Sequence, residues 1–556
     1  MKKNNFLLFF ILLILYPIYC HKCGTDLLSK TPASIKINVT ENSKRQLSNT
    51  YTPLKIKVDY KYLQKQKEQN LLGEEKLNTL ENIFSTVTDS FSSIISVDHL
   101  SISDIKSDIK RECEIEDFEE GIENVFMTND ILILPRIDSS LNKATLAAAT
   151  PCLIADKRYN YKPLAGIVLI NKNLDSIKND FVHYMKNLLF HELTHVIGFH
   201  PFYFTVFNFL YTQKIDGITK SYIKSPKVLE KAKIHFGCDS IKGIQLENQG
   251  ETGTQGSHWE MRYMLGDFMV GEDYSEVVIS DITLAFLEDT GFYKVNYYTG
   301  GLFRYGKNQG CAFLNKKCLY NKGESTSFPN EFCTNSRQAF CGSSHIAKGD
   351  CYIVTYKNPL NDIYRYYQDK HKGGKTNVDY CPVSFIFETD SQYFYPQNCK
   401  YGKAEYSNYG EIIGDNSMCF ESSLLLNNNK KSICYKMSCD KENKQIKINI
   451  GSTTVICPGN TTVLNNPSGL TGTINCPDYN MICTSDIWCN DMFDCISKKS
   501  IADENSYEYI SNKDILYARD QINLKVNDKN AFIDDSLQKL QFNHLLLLLY
   551  FFLLFI

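Results

Sequence analysis

The sequence predicts an α+β fold: a mixed helix-and-strand body up to about residue 310, then a mainly β and loop, disulfide-rich domain. Three observations carry this. From Asp180 to Phe199 apolar residues fall at helical spacing, with Val182, Met185, Leu189, Leu193 and Val196 on one stripe and Gly198 as the stop. Two apolar stretches upstream, "DILILP" (Asp130–Pro135) and "AGIVLINKNL" (Ala165–Leu174), read as strands. Fifteen of the 20 cysteines lie between Cys311 and Cys495. Their spacing is irregular and includes no C-x-x-C pair, the texture of a disulfide framework and not of a zinc ribbon.

The other elements follow from the same rules. "TPLKIKVDYKYL" (Thr52–Leu63) alternates like a strand, and a polar helical stretch runs over about 65–95. A second helix is predicted from Asp281 to Thr290, with Ser280 as its cap, Ile282, Ala285 and Phe286 as its apolar face and Gly291 past its end. The 556 residues are 43% hydrophobic and 22% charged, enough apolar material for packed cores. A net charge of −3 without any long basic run excludes nucleic acid as a partner.

The ends of the chain suggest export. "MKKNNFLLFFILLILYPIYC" has two lysines, an apolar stretch from Phe6 to about Tyr16 and a turn-like close, the layout of a secretory signal over residues 1–20; the alternative is an N-terminal anchor helix. The last twelve residues after His544 are apolar. Twelve helical residues rise roughly 18 Å, short of a ~30 Å hydrocarbon core, so this tail reads as a lipid-anchor attachment signal and not as a spanning helix. Asp534–Ser536 could hold the attachment residue, with Leu537–His544 as spacer. Asn38 and Asn460 begin glycosylation sequons.

The chemistry centres on "FHELTHVIGFHPFYF", residues 190–204. Helical residues four apart share a face, so His191 and His195 can aim a ring nitrogen at one ion while Glu192 lies beside it. A catalytic zinc needs three protein ligands and an open position for water, with a carboxylate to take the water's proton. In the metzincin pattern H-E-x-x-H-x-x-G-x-x-H the third histidine falls three residues after the glycine. Here Gly198 is in place, but Pro201 occupies that position and His200 falls one residue short, which aims its ring elsewhere. His258, in "GTQGSHWEMRYMLGDFMVGEDYSE", is the better third ligand, because Met269 follows eleven residues later. Metzincins carry a methionine in a tight turn beneath the metal.

"HELTHVIGF", the long excursion to His258, "GSHWEMRY…DFMVG" and "ITLAFLEDTGFY" together resemble the leishmanolysin family of surface zinc proteases, a metzincin variant with a segment inserted between the glycine and the third histidine. The resemblance implies a metzincin-type catalytic domain with one Zn2+ per chain on His191, His195 and His258. It makes Glu192 the general base, Met269 the turn methionine and strand Ala165–Leu174 the substrate-pairing edge. It further implies protein and peptide substrates, a zymogen and a lipid-anchored location at the cell surface or outside the cell. "HKC" at His21–Cys23 resembles the family's pro-segment motif, in which Cys23 would occupy the metal until removed; the alternative is a structural disulfide. Losing Cys20 and Cys23 would leave eighteen cysteines, an even number.

The implied organisation is a signal peptide (1–20), a pro-segment (21–45), an N-terminal catalytic subdomain with the zinc helix (46–200) and a central subdomain with the third histidine and the methionine turn (201–310). A cysteine-rich domain (311–500), a stalk with the anchor spacer (501–544) and the hydrophobic tail (545–556) complete it. The rival expectation is a catalytically inert adhesion or receptor protein on the same fold, its cysteine-rich region serving as the binding module.

Overall fold

The apolar runs that mark the strands of the first half are buried on both faces, because they lie inside a sheet covered on either side. In the computed structural model the elements of this half are, in chain order, β1 (Ala33–Ile35), β2 (Thr52–Pro53), β3 (Ile56–Val58), α1 (Lys61–Glu68), α2 (Glu74–Ile94), β4 (Ile95–Val97), α3 (Lys106–Glu112), β5 (Ile131–Asp138), β6 (Ala147–Ala155), β7 (Pro163–Asn171) and α4 (Phe181–Ile197). The structure describes residues 31–37, 51–141, 145–172, 181–249, 253–272, 274–297, 303–385, 397–424, 430–440, 442–451, 453–457, 472–477, 479–483 and 490–499. The signal, Cys23, Asn38, Asn460, the 501–544 spacer and the tail all fall outside them. No helix among the described residues is long and apolar enough to cross a membrane.

Five strands form the main sheet in the order β1-β6-β7-β5-β3, with β6 antiparallel to β7 and the other pairs parallel. Ile131, Ile133, Val168 and Ile170 point into the core beneath α2 and α4. Leu132, Leu134, Ile167 and Leu169 point to the opposite core, beside Ile109 and the Cys113–Cys152 disulfide. Near-continuous apolar sequence is the signature of strands buried on both faces. β7 is therefore an interior strand, paired with β5 and β6, and not the edge that the resemblance assigned to Ala165–Leu174. Next to it, β6 pairs with β1 only at Leu153–Ala155, so Ala147–Thr150 have no strand on their outer side among the described residues.

Three local expectations need correction. Thr52–Leu63 is not one strand: Pro53 removes a ladder donor, and the Asp59 carboxylate accepts the amide of Lys61 at 2.9 Å, turning the chain into α1. The helical stretch over 65–95 is two helices, parted at Asn70, whose φ of 60° is left-handed. Val182 is 46% exposed, and the inner face of α4 begins instead with Phe181 and Tyr184.

After α4 come α5 (Pro201–Val206), the hairpin β8 (Leu210–Ile215) and β9 (Ile218–Ile223), α6 (Pro226–Phe236), β10 (Ile244–Gln245), α7 (Met261–Met264), α8 (Asp281–Asp289) and β11 (Tyr293–Val295). The β8–β9 turn is Asp216-Gly217, both residues at positive φ, as a two-residue hairpin loop requires. On α8, Ser280 Oγ accepts the amide of Thr283 at 3.1 Å, the predicted cap.

Beyond residue 310 short strands and turns are bridged by disulfides, and Ser417–Ser422, Lys431–Asp440, Gln445–Ile450 and Thr453–Cys457 form a four-stranded antiparallel meander. Among the described residues, disulfides join Cys113–Cys152, Cys238–Cys311, Cys318–Cys381, Cys333–Cys351, Cys341–Cys419, Cys399–Cys434, Cys439–Cys483 and Cys457–Cys476. The fold is thus α+β and disulfide-rich. The Glu276 carboxylate enters this region and accepts the amides of Ser344 at 3.0 Å and Ile346 at 3.1 Å. The helix Met492–Lys499 returns to α4, where Phe493 meets Phe190 edge to face at 5.8 Å between centroids.

Candidate metal centre

Helix α4 carries His191, Glu192 and His195, and packs against β6 and β7. Its approach to β7 is close. A Cβ on Gly166 would lie 2.3 Å from Val196 Cγ1, so only glycine lets the helix settle at this depth. At the end of the helix Gly198 has φ 152°, a backbone that side chains rarely allow. The reversal brings the Phe199 carbonyl back to His195, whose Nδ1 donates to it at 2.7 Å.

His258 arrives from the far end of the excursion. The Glu247 amide, just past β10, donates to the His258 carbonyl at 2.9 Å, Leu246 bridges to Trp259, and the Trp259 amide donates to Met269 O at 3.0 Å. These contacts bring the His258 ring to α4. Among the described residues, His191, His195 and His258 form the one group of three or more His, Cys, Asp or Glu with ligand atoms close enough to hold an ion.

The three Nε2 atoms make a triangle, 3.1 Å from His191 to His195, 3.1 Å from His195 to His258 and 3.2 Å from His191 to His258. Each Nδ1 donates to a carbonyl: His191 to Phe268 at 2.5 Å, His195 to Phe199, and His258 to Thr254 at 3.0 Å. Burial holds all three rings below the usual histidine pKa, His191 at about 4, so they are neutral. A neutral ring with its proton on Nδ1 has a lone pair on Nε2, and three such lone pairs converge here. Tetrahedral Zn–N bonds of roughly 2.0–2.1 Å set ligand nitrogens roughly 3.3–3.4 Å apart, so the triangle fits that ion. Glu192 is completely buried beside the triad.

His200 is not part of the triangle. Its Nδ1 accepts the Phe202 amide at 3.2 Å as the cap of α5, and its Nε2 faces Thr150 Oγ1 at 3.3 Å. Met269 is fully buried, one residue from the Phe268 carbonyl that holds His191.

One carboxylate that sequence reading missed organises this turn. Asp267 Oδ1 accepts the Met269 amide at 2.7 Å; Oδ2 accepts the Thr283 hydroxyl at 2.8 Å and the Ser280 amide at 3.2 Å. Thr283 Oγ1 in turn accepts the Trp259 indole N–H at 2.8 Å. Burial raises the Asp267 pKa to about 6, while hydrogen bonds from Ser280, Met269 and Thr283 pull it down. A lone aspartate two residues before a methionine carries no signal in sequence; burial among these partners is what gives it a role.

Residues 31–489 match the sequence profile of a peptidase family described as leishmanolysin. The chain is 28% identical over 395 residues to a leishmanolysin homolog of Crithidia fasciculata, covering 67% of this chain and 57% of that protein. It is 24% identical to the leishmanolysin of Leishmania tropica, covering 66% and 56%. It is 33% identical over 226 residues to a leishmanolysin-like peptidase of Caenorhabditis briggsae, covering 35% and 34%. The match spans a little over half the length of the first two relatives.

Proposed function

Because this chain belongs to the leishmanolysin family, a family of zinc metalloendopeptidases, we propose that it hydrolyses peptide bonds in protein substrates, with zinc held by His191, His195 and His258. The observation that carries this is the Nε2 triangle of 3.1–3.2 Å edges, each ring held from behind by a main-chain carbonyl. Such carbonyls fix both the tautomer and the aim of a ligand ring before any ion arrives.

Bound zinc supplies a Lewis acid that polarises the scissile carbonyl and makes water acidic enough to attack at neutral pH. Glu192 accepts the proton of the attacking water and returns it to the leaving amine. Its burial removes competing solvent, so the carboxylate acts as a base in a low-dielectric site. Met269 lies buried beneath the site, and the reversal at Gly198 holds His195 in place through the Phe199 carbonyl. An extended substrate adds as a strand along the outer edge of Ala147–Thr150 on β6, the position that β7 cannot fill.

The same reading assigns residues 1–20 to a secretory signal, 21–45 to a pro-segment with Cys23 as the blocking thiolate, and the C-terminal tail to lipid anchoring at the cell surface. Residues 46–310 form the catalytic part and 311–500 the cysteine-rich domain. The test is metal content and digestion of a generic protein on the processed chain. One zinc per chain and chelator-sensitive cleavage are expected. Inertness with a full complement of zinc would favour the adhesion reading instead.

A further inference from the structure

Strand β1 lies within the segment assigned above to the pro-region, yet it is built into the main sheet. Ala33, Ser34 and Ile35 pair in parallel with Leu153, Ile154 and Ala155, and Ser34 Oγ donates to Ala155 O at 3.3 Å. The segment alternates as a half-buried strand should: Ser34 and Lys36 are exposed, while Ile35 and Ile37 are buried. Both isoleucines enter the core that contains Ile109, Leu134, Leu153 and the Cys113–Cys152 disulfide. Arg158, paired with Asp156, donates from Nη2 to the Ile37 carbonyl at 3.3 Å and holds the far end.

The direction of pairing has a consequence for the active edge. Because β1 is parallel to β6, its N-terminal end points back along β6, from Leu153 toward Thr150 and Ala147. Ala147–Thr150 are buried although no described strand pairs on their outer side. Thr150 also faces His200, the residue that caps the helix following the metal helix.

We propose that residues 31–37 are a docking strand that anchors the pro-segment on β6 by main-chain pairing and two isoleucine knobs, and keeps it there after the chain is cut. Cleavage near residue 45 then yields a non-covalent complex in which the N-terminal end of the strand, at Ala33 beside Leu153, points toward the substrate edge, and activity appears when the strand leaves. The inference rests on the pro-segment reading above.

The test follows the secreted full chain through maturation, mapping cuts by mass spectrometry and passing the product through a sizing column. A fluorogenic peptide reports activity. The expected result is a cut between residues 38 and 50, a fragment containing 31–37 that co-elutes with the body, and low activity until the fragment is displaced. With Ile35→Asp and Ile37→Asp together the fragment binds at least ~100-fold more weakly and separates on the column, leaving active protein. Should that variant fail to fold, a synthetic peptide of residues 21–37, which carries the docking strand and the portion N-terminal to it, decides. It inhibits the stripped wild-type enzyme, and the same peptide with both isoleucines changed to aspartate does not. A wild-type fragment that separates at the first column, or a peptide without effect, overturns the docking strand and leaves the pro-segment intact as a reading. A fully active chain still covalently joined to 31–37 overturns both.

Discussion

The main-chain amide of Met269 donates to Oδ1 of Asp267 at 2.7 Å, so a buried carboxylate shapes the turn whose Phe268 carbonyl holds His191. The other oxygen reaches Trp259, the neighbour of His258, through Thr283. Two of the three imidazoles thus depend on one side chain that is not itself in the triad.

Replacing Asp267 by Asn sets an amide N–H against a donor, either the Met269 amide or the Thr283 hydroxyl. Zinc affinity measured by chelator competition should fall roughly 10–100-fold, the usual cost of losing an outer-shell partner. Thr283→Val, which cuts only the Trp259 branch, should cost less. Equal and unchanged affinities would remove this relay from the account of the site.

Glu192→Ala should keep one zinc per chain and lose proteolysis by roughly three to four orders of magnitude, since the Lewis acid remains and the base is gone. Metal analysis and a peptide assay on the same sample check both halves. Cleavage at the wild-type rate would sink the assignment of Glu192.

Gly166→Ala places a methyl group 2.3 Å from Val196 Cγ1, with the helix backbone behind it. Overpacking of this kind costs about 1–3 kcal/mol, read as a lower denaturation midpoint. Adding Val196→Ala should recover part of the loss. If both variants are equally unstable, the tight contact is not the cause.

His235 tests acid lability away from the metal. It is half-buried, its Nε2 donates to Tyr305 O at 2.9 Å, and desolvation of the ring lowers its pKa from 6.5 to about 3. A histidine depressed in the folded state gives stability that is complete above 6.5 and lost as pH falls toward the folded value. Between pH 7 and pH 5 this residue alone should withdraw about 2 kcal/mol. His235→Gln can keep the hydrogen bond but cannot titrate, so its stability should vary less over that range. Parallel curves for the two proteins would refute the claim.

The metal helix was legible because motif, period and glycine stop fall on the same twenty-residue stretch. His258 could be singled out by the absence of a ligand at Pro201 and the methionine downstream. Strand order was not legible, although the run at 163–171 held a clue: an unbroken apolar sequence belongs in the interior of a sheet, not at its edge. β6, "AAATPCLIA", hid behind four alanines and a proline, residues that prefer strands only when neighbours supply the packing. The β8–β9 hairpin has exposed Thr212, Gln213 and Lys214, so its alternation is weak and only Asp216-Gly217 announces it. Asp267 was invisible because its partners are gathered by the fold.

Phe493 lies against Phe190, one position before the first histidine of the triad, but follows it by about 300 residues in the chain. At roughly 5–20 residues per second a ribosome needs some fifteen to sixty seconds to bridge that interval. During that time the helix that carries His191 and His195 lacks one wall of its packing. A centre built in this order gains its last packing partner only once residue 493 has emerged, long after its three imidazoles have been made.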